Sequence, residues 1–435
     1  MTESTNWKFA LRALKSKNYR LFFGGQAVSL IGTWLTTVAT SWLVYRLARE
    51  GGADAGSSAF ILGIVGFASQ APQLLLAPLA GAWVDRFDRH RVLVITQALS
   101  MVQSFLLAGL VLSDHASIWG VVSLNIFQGI LNAFDIPARQ ALTIDLVEKR
   151  EDLPNAIALS SSMVHTARLI GPALAGFLIY HFGEGSCFLV DGFSFFAVLI
   201  ALLKMNLKKR IFPEVCKSIL TEVNEGFSYA WNFPPIRLLL IFVAATSFLS
   251  TSQQVLLPIV SQNILGGGER IYGFLLCFSG FGALLGALYL AGRKSIVGLI
   301  RVITGANFIL GIGFIIFALS KGFWFCALSL TVTGCALIIQ VASINSILQT
   351  IVDDSKRGRI MGLFAFSFMG AMPIGSFISG ALAQHIGIPW TLALSGVGCL
   401  FISIWFRRTL PIFRVHVRPI YIKMGLLAAA VETPH

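Results

Sequence analysis

Long apolar runs alternate with short polar stretches along almost the whole chain. Twelve of these runs approach or exceed the roughly 20 residues that a helix needs to cross the hydrocarbon layer of a membrane. They begin near Leu21, Phe60, Val92, Ser117, Asn155, Ser186, Ile236, Ile271, Gly298, Gly322, Ile360 and Pro389. Amides such as Gln70 and Gln73 lie inside the runs and must face protein or water. The pattern predicts an all-α membrane protein with twelve transmembrane helices.

The composition agrees with this class of protein. Of the 435 residues, 56% are hydrophobic and only 12% are charged, and the mean hydropathy is +0.77. Because soluble domains carry about 25% charged residues, an ordinary soluble enzyme is excluded. The six cysteines show neither the paired spacing of a disulfide framework nor the spacing of a metal site. We expect no cofactor, no metal and no enzymatic activity, since no nucleophile, base and orienting group are spaced together.

The basic residues fall in alternate loops. Clusters precede the first apolar run and follow the second, fourth, sixth, eighth, tenth and twelfth, whereas the other loops carry only Arg46, Arg49, Arg270 and Lys321. Loops rich in Lys and Arg stay on the cytoplasmic side. We therefore expect a multi-pass protein of the inner (plasma) membrane with both termini in the cytoplasm. The net charge of +13 follows from this topology and indicates no nucleic-acid partner.

An internal repeat divides the chain. Ile170–Gly183 and Ile374–Gly387 are identical at six of fourteen positions with an offset of 204 (374 − 170). An offset of six helices keeps both copies in one orientation, which predicts two parallel six-helix halves. The predicted organisation is a cytoplasmic lead at 1–20, an N-terminal half at 21–204, a cytoplasmic linker at 205–235, a C-terminal half at 236–407 and a cytoplasmic tail at 408–435. Apolar spacing over Ile219–Trp231 predicts a surface helix within the linker.

A densely charged hairpin joins the second and third runs at Gly81–Arg91. Its pattern resembles G-x-x-x-D-R-x-G-R-R/K, the motif between the second and third helices of major facilitator superfamily transporters, except that Asp88 replaces a glycine. The matching residues are Gly81, Asp85, Arg86 and Arg89, and the last basic place of the motif is taken by His90 followed by Arg91. The resemblance implies the major facilitator fold, with the two halves surrounding a central cavity.

Other motifs resemble one branch of that superfamily. Gly171–Gly176 is similar to the G-P-x-x-G-G signature in the fifth helix of its exporters, with Ala175 in place of one glycine. The chain also resembles the branch of the enterobactin exporter and the transmembrane secretion effectors over Asn18–Gln26, Ser29–Trp34, Ala133–Arg139 and Ala167–Pro172. This resemblance implies export of a siderophore, a drug or a secreted metabolite by alternating access and proton antiport.

The charged hairpin is a candidate cytoplasmic latch that steadies the outward-facing state. Asp85, Arg86 and Arg89 are expected to pair with Asp135 and with the start of the eleventh helix. The fourth helix is expected to end in Asp135–Arg139, and Arg139 shares the face of Asp135 if Pro137 does not break the turn. The alternative is a solvated turn that only obeys the topology rule. The candidate latch residues are Gly81, Asp85, Arg86, Arg89, Asp135 and Arg139.

Three ionisable residues inside the apolar runs are candidates for substrate binding or coupling. Arg168 must find water, a counter-charge or carbonyl groups; it suits an anionic or catechol-like substrate, or else it is a structural residue held by helix ends or by Asp191. His165, one turn earlier, is either a titrating group or a packing residue. Asp191 either carries the coupling proton or pairs with Arg168 or solvent.

Uncharged residues complete the candidate sites. Amides in the other helices supply further polar contacts, and these are Gln26, Asn125, Gln128, Gln253 and Gln340. Gly171, Pro172 and Gly176 favour tight packing and a bend in the fifth helix. A gate between two halves requires the same properties, so the structural and functional interpretations of these three residues coincide.

The sequence therefore predicts a monomeric secondary transporter that moves a small anionic or amphipathic molecule outward in exchange for protons. The first helix offers no acid, and Asn125 stands where proton-coupled exporters commonly carry an arginine, so proton coupling follows from the resemblance alone. Two alternatives stay open. One is an uptake permease or lysolipid flippase on the same fold, and the other is a non-transporting membrane scaffold or receptor.

Overall fold

The computed structural model describes residues 12–147, 149–205, 219–293 and 295–424, and the regular structure of these residues is helical. Residues 1–11 of the predicted lead, 206–218 of the predicted linker and 425–435 of the predicted tail lie outside them. The α-helices are α1 (Lys17–Glu50), α2 (Ala55–Arg86), α3 (Arg89–Leu112), α4 (Ile118–Asp145), α5 (Leu153–Phe182), α6 (Glu184–Leu203), α7 (Ile219–Asn232), α8 (Pro234–Ile259), α9 (Gly268–Ala291), α10 (Leu299–Leu319), α11 (Phe323–Ile351), α12 (Asp354–Ile386) and α13 (Ile388–Lys423). Short 3₁₀ helices span Arg12–Lys15 and Arg150–Asp152, and a π-helical turn, Val260–Ile264, continues α8.

Twelve of the described helices are long and apolar enough to cross a membrane. This number confirms the prediction from the apolar runs. The remaining helix, α7, has 14 residues and occupies the place of the predicted surface helix. Its exposed Phe227 and Trp231 stack with ring centroids 5.6 Å apart.

Local hydrogen bonds explain where two of the helices begin. The side chain of Asp54 accepts the backbone N–H of Ser57 at 2.8 Å at the start of α2. Asp88 accepts the backbone N–H of His90 at 3.0 Å at the start of α3. Both are N-caps, which satisfy amides that have no partner inside the helix. Asp88, the departure from the hairpin motif, therefore has a structural role as the cap of α3.

The two copies of the repeat end in the same way. Gly183 separates α5 from α6 and has a φ of 75°, and Gly387 separates α12 from α13 and has a φ of 84°. Residues that carry a Cβ atom rarely adopt this backbone conformation. The identical glycine at the end of each copy is thus the point at which the chain leaves one spanning helix and enters the next.

The chain forms two compact units. The first comprises Met1–Cys216, Val255–Gly280 and Ser376–Ile388, and the second comprises Lys217–Gln254, Phe281–Gly375 and Pro389–His435. The core of the first unit includes Tyr19, Leu93 and Leu202. The core of the second includes Phe242, Ile303 and Phe406. The division into functional halves at 21–204 and 236–407 stays a proposal.

Two helices are longer than the sequence pattern suggested. The prediction that the fourth helix ends in Asp135–Arg139 is wrong, because α4 continues through Pro137 to Asp145. The last helix also extends into the predicted tail as far as Lys423. There Phe413, Val417 and Tyr421, spaced four residues apart, are buried in the core of the second unit. Burial of one face thus keeps this basic segment helical.

Candidate functional site

Arg168 lies on α5 against an aromatic ring of α1. Its guanidinium carbon is 5.7 Å from the centre of the Trp34 ring. The two helices meet closely because Gly171, one turn further along α5, has no side chain: a Cβ there would lie 2.4 Å from the Cβ of Trp34. Among the described residues, no hydrogen bond or ion pair satisfies the five N–H donors of this guanidinium.

Asp191 lies on α6 in a buried cluster of hydroxyl groups. Its Oδ2 accepts hydrogen bonds from Thr36 on α1 at 2.7 Å and from Ser104 on α3 at 2.9 Å. Ser194, one turn along α6, is 3.4 Å from Oδ1. The side chain is almost inaccessible, since Asp191 is only 2% exposed. The alternative in which Asp191 pairs with Arg168 is therefore wrong, because the acid is bonded to hydroxyl groups and the guanidinium lies on Trp34.

Gly32 on α1 makes room for this carboxylate. A Cβ at Gly32 would lie 2.5 Å from Oδ1 of Asp191 and 2.5 Å from Oγ of Ser194. Contacts below about 3 Å force the neighbouring groups to move. One stretch of α1, from Gly32 to Thr36, therefore contacts Asp191 on α6 and also carries the ring that lies against Arg168.

The candidate latch residues fall into separate clusters. Asp135 is buried inside α4, where it accepts hydrogen bonds from Thr96 at 3.0 Å and Gln97 at 2.7 Å and also bonds Arg139. Asp135 and Arg139 do share a face, as predicted for an unbroken turn at Pro137. The surroundings of Gly81 and the side chains of Asp85, Arg86 and His165 lie outside the described part of the structure.

Arg89 has a partner that the sequence did not indicate. Its guanidinium donates to Asp145 at 3.0 Å and to the carbonyl oxygen of Ala141 at 3.3 Å. Asp145 is the last residue of α4, and it was missed because α4 was expected to end at Arg139, six residues earlier. Arg89 thus forms an ion pair with Asp145, whereas Asp135 bonds Thr96, Gln97 and Arg139.

The candidate amides differ in how well they are satisfied. Asn125 donates to the carbonyl oxygen of Val121 at 2.8 Å, and Gln128 donates to Ser100 at 3.1 Å, although the Oε1 atom of Gln128 is buried without a described partner. These bonds lie within or between α3 and α4, which favours a structural role for both amides. A structural role also leaves less of each amide free for a ligand.

Three other amides keep unpaired atoms. Both polar side-chain atoms of Gln26 and of Gln340 are buried without a described hydrogen-bond partner, and the same holds for Nε2 of Gln253 and Oγ of Ser343. Buried polar groups are nearly always paired, so each exception calls for an explanation. Gln340 and Ser343 lie three residues apart on one face of α11. Such groups are suited to contact water or a substrate.

The glycines of the repeat make equivalent close contacts in both copies. A Cβ on Gly273 of α9 would lie 2.7 Å from the Cα of Gly176, and a Cβ on Gly63 of α2 would lie 3.0 Å from the Cα of Gly380. Gly380 is the counterpart of Gly176 at the offset of 204. Earlier in each copy, Gly171 meets α1 and its counterpart Gly375 meets α8 at the carbonyl oxygen of Phe248. The repeated glycines are therefore points of close helix approach, and Gly63 and Gly273 are partners that the sequence analysis did not identify.

Comparison with known proteins gives one family over most of the chain. The family model described as transmembrane secretion effector matches residues 9–420. The chain is 25% identical over 391 residues to the staphyloferrin A transporter of Staphylococcus aureus (strain NCTC 8325 / PS 47), covering 89% of this chain and 95% of that protein. It is 27% identical to the multidrug efflux pump Tap of Mycolicibacterium fortuitum, covering 84% and 89% of the two chains. It is 23% identical to macrolide efflux protein A of Streptococcus pyogenes, covering 93% and 96%.

Solved transporter structures share the fold. A POT family transporter in complex with 5-aminolevulinic acid matches with a TM-score of 0.72 at 13% identity, covering 91% of this chain and 96% of that one. A bacterial homologue of the lysosomal transporter Spinster, in an inward-facing and occupied conformation, matches with a TM-score of 0.67 at 12% identity, covering 93% and 97%. These structures agree with the fold predicted from the twelve spanning helices, and the family match and the related transporters confirm the resemblance to the major facilitator superfamily. Together with the match over residues 9–420, these findings show that the chain belongs to the transmembrane secretion effector family of multi-pass membrane transporters.

Proposed function

We propose that this protein exports a small anionic or amphipathic organic molecule, such as a siderophore, a drug or a secreted metabolite, across the inner membrane. It does so by alternating access between two six-helix halves, in exchange for protons and as a monomer with both termini in the cytoplasm. The observation that carries the proposal is Arg168, a cation inside a spanning helix whose guanidinium has no described polar partner. The names of related transporters, one for staphyloferrin A and others for drugs, support the substrate class.

The position of Arg168 favours an anionic group on the substrate. A charge within a membrane span costs at least a few kcal/mol unless water or a counter-charge compensates it. The Trp34 ring contributes a cation–π contact, which is worth about 0.5–2 kcal/mol and leaves the N–H donors free. A carboxylate or catecholate could accept two parallel hydrogen bonds from one guanidinium. Gln26, whose amide has no described partner, is proposed to supply an uncharged contact in the same unit as Arg168. Gln253 and Gln340 stay candidate substrate contacts of the second unit.

The remaining candidate residues suit the proposed gating. Gly171 and Gly176, with Pro172 between them, allow α5 to approach α1 and α9 closely. The candidate latch, with its Asp135 and Arg139 pair, is proposed to hold the cytoplasmic ends of the helices in one state. His165 is proposed to assist at the substrate site from its place one turn before Arg168.

The experiment that tests this proposal is transport by the purified protein in proteoliposomes. Carboxylates, catecholates, hydroxamates and lipophilic cations would be compared, with label movement followed in both orientations to give the direction. Arg168→Ala should abolish transport of anionic compounds, and Arg168→Lys should restore only part of it because lysine lacks the planar fork. Arg414→Ala, at an exposed position of α13, is the matched control and should transport normally.

Four results would count against the proposal. Normal transport of anions by Arg168→Ala would remove this residue from the substrate site. Inward movement of the label would favour an uptake permease, and movement of lysolipids alone would favour a flippase on the same fold. Failure of the unaltered protein to move any compound would favour a scaffold or receptor.

A further inference from the structure

The hydroxyl cluster around Asp191 has an uncharged counterpart in the second unit. There Asn307 on α10 accepts a hydrogen bond from Thr246 on α8 at 3.2 Å and donates to the carbonyl oxygen of Cys399 at 2.8 Å and to Ser403 on α13 at 2.9 Å. The first cluster joins the first, third and sixth spanning helices, and the second joins the seventh, ninth and twelfth. The same three helices of each set of six are therefore tied by one buried polar residue.

The two clusters differ in chemistry. The Asn307 amide is fully satisfied as a neutral group, so joining three helices in this way does not require a charge. Asp191 ties its helices with a carboxyl group that can gain or lose a proton. A purely structural role explains Asn307 but not the acid, because burial away from water disfavours an ionised carboxylate.

The other ionisable groups on the helices packed against α6 make no described ion pair with the Asp191 carboxyl group, which is bonded to hydroxyl groups. Helix α1 carries its charged residues in its first four and last six positions, and α3 carries them only at Arg89, His90 and Arg91. On α5, Arg168 lies on Trp34, His181 lies among aromatic rings and the His165 side chain is not described. On α6 itself, Glu184 pairs with Arg46 and Cys187 donates to the carbonyl oxygen of Ala175. No described ion pair reaches Asp191.

We propose that the Asp191 carboxyl group is the proton-binding site of transport, and that the turn of α1 from Gly32 to Thr36 couples its proton to the anion at Arg168. This inference rests on the proposed function and names the coupling site within it. One proton adds to the carboxylate from the side where protons are abundant and leaves from the same oxygen when the site is exposed to the opposite side.

Hydrogen bonding gives the coupling a physical path. The ionised carboxylate accepts from Thr36 and Ser104 through one oxygen, Oδ2, and such charge-assisted bonds are stronger than neutral ones. A protonated carboxyl is a weaker acceptor and carries a donor of its own. Protonation therefore loosens the tie between α6 and Thr36. Since Trp34 lies in the same turn and contacts Arg168, this loosening changes the ring on which the guanidinium rests.

The same path must work in both directions. If protonation of Asp191 alters the affinity of the Arg168 site for an anion, then the bound anion alters the affinity of Asp191 for a proton by the same factor. Coupling of this kind is commonly about 5–150-fold in affinity. Exchange of one ligand for the other then follows from binding alone.

The test compares the unaltered protein with Asp191→Asn and with Asp114→Asn, an acid-to-amide control in the exposed turn between α3 and α4. The Asn307 cluster shows that an asparagine can tie three helices, so Asp191→Asn is expected to fold. It should retain exchange of labelled for unlabelled substrate but lose accumulation driven by a pH gradient. The change of anion affinity with pH, about ten-fold in the unaltered protein, should vanish. The control should retain both properties.

A second measurement needs no substrate. Infrared spectra recorded over a pH series should contain a protonated-carboxyl band that Asp191→Asn removes and Asp114→Asn leaves. Thr36→Val, which removes one hydroxyl donor and keeps the acid, should shift the pH at which this band disappears. Absence of the band at every pH, or gradient-driven accumulation by Asp191→Asn, would overturn the inference. If no compound is transported by the unaltered protein, the proposed function fails while the infrared result still decides whether Asp191 takes up a proton.

Discussion

The contact between Gly176 and Gly273 predicts a specific cost for adding one methyl group. In Gly273→Ala, the new Cβ would lie 2.7 Å from the Cα of Gly176 and 3.0 Å from the carbonyl oxygen of Pro172, whereas ordinary contacts begin near 3.4 Å. The neighbours are backbone atoms of α5, so they cannot turn aside as a side chain would. The two helices must separate by roughly 0.7 Å, and such overpacking costs about 1–3 kcal/mol.

A second glycine-to-alanine variant separates the overpacking cost from the effect of helix propensity. Alanine is favoured over glycine inside a helix by about 1 kcal/mol, which partly offsets the clash in Gly273→Ala. Gly305 on α10 has nothing within 4 Å of an added Cβ, so Gly305→Ala gains the propensity without a clash. The difference in unfolding free energy between the two variants should therefore equal the overpacking term of about 1–3 kcal/mol.

The assay is reversible unfolding of the purified protein in detergent micelles, with transport measured in parallel. Gly273→Ala should be less stable than Gly305→Ala and should transport more slowly, because α5 and α9 can no longer meet as closely. Gly63→Ala and Gly380→Ala, at the equivalent contact between α2 and α12, should behave in the same way. Equal stability of Gly273→Ala and Gly305→Ala would refute the reasoning.

Three further predictions concern other contacts. Glu184→Gln removes the partly exposed ion pair with Arg46, whose Nε–Oε1 distance is 2.7 Å, and should lower the unfolding free energy by about 1–2 kcal/mol; an unchanged value would mean that the pair contributes nothing. Gln340→Leu removes two unpaired buried polar atoms, so it should leave stability equal or higher while slowing transport, and normal transport would contradict a substrate contact. Asp135→Asn leaves the donors of Arg139 without their carboxylate and should lower the unfolding free energy by about 2–3 kcal/mol. Chemical unfolding would measure this loss, and an unchanged unfolding free energy would contradict the prediction.

Apolar periodicity was sufficient to predict the helices. Twelve spans follow from sequence because each must satisfy its own backbone within the membrane, and their number is confirmed. Helix ends were less certain where burial overrides local signals. Pro137 suggested an end to α4, yet the helix continues to Asp145. A proline removes one backbone hydrogen bond from a helix, and side-chain packing can compensate for that loss. The six residues beyond the predicted end at Arg139 include Asp145, so its ion pair with Arg89 was not predicted.

The candidate site shows a different limit of sequence reasoning. The chemistry of Arg168 and Asp191 was evident, since any charge inside an apolar run needs an explanation. Which groups meet them depends on helix packing, and no local pattern pairs Asp191 with Thr36, 155 residues away. The repeat matched Gly176 with Gly380 from sequence alone. Their contact partners, Gly273 and Gly63, could not be identified from sequence.

The central claim is that Arg168 holds the anionic group of an exported molecule. The most direct test is transport of a panel of carboxylates and catecholates in proteoliposomes by the unaltered protein, Arg168→Ala and Arg414→Ala. If Arg168 holds this group, the unaltered protein should transport at least one anionic compound outward, Arg168→Ala should abolish that transport and Arg414→Ala should retain it. Equal transport by all three proteins, or selective transport of cations, would contradict it.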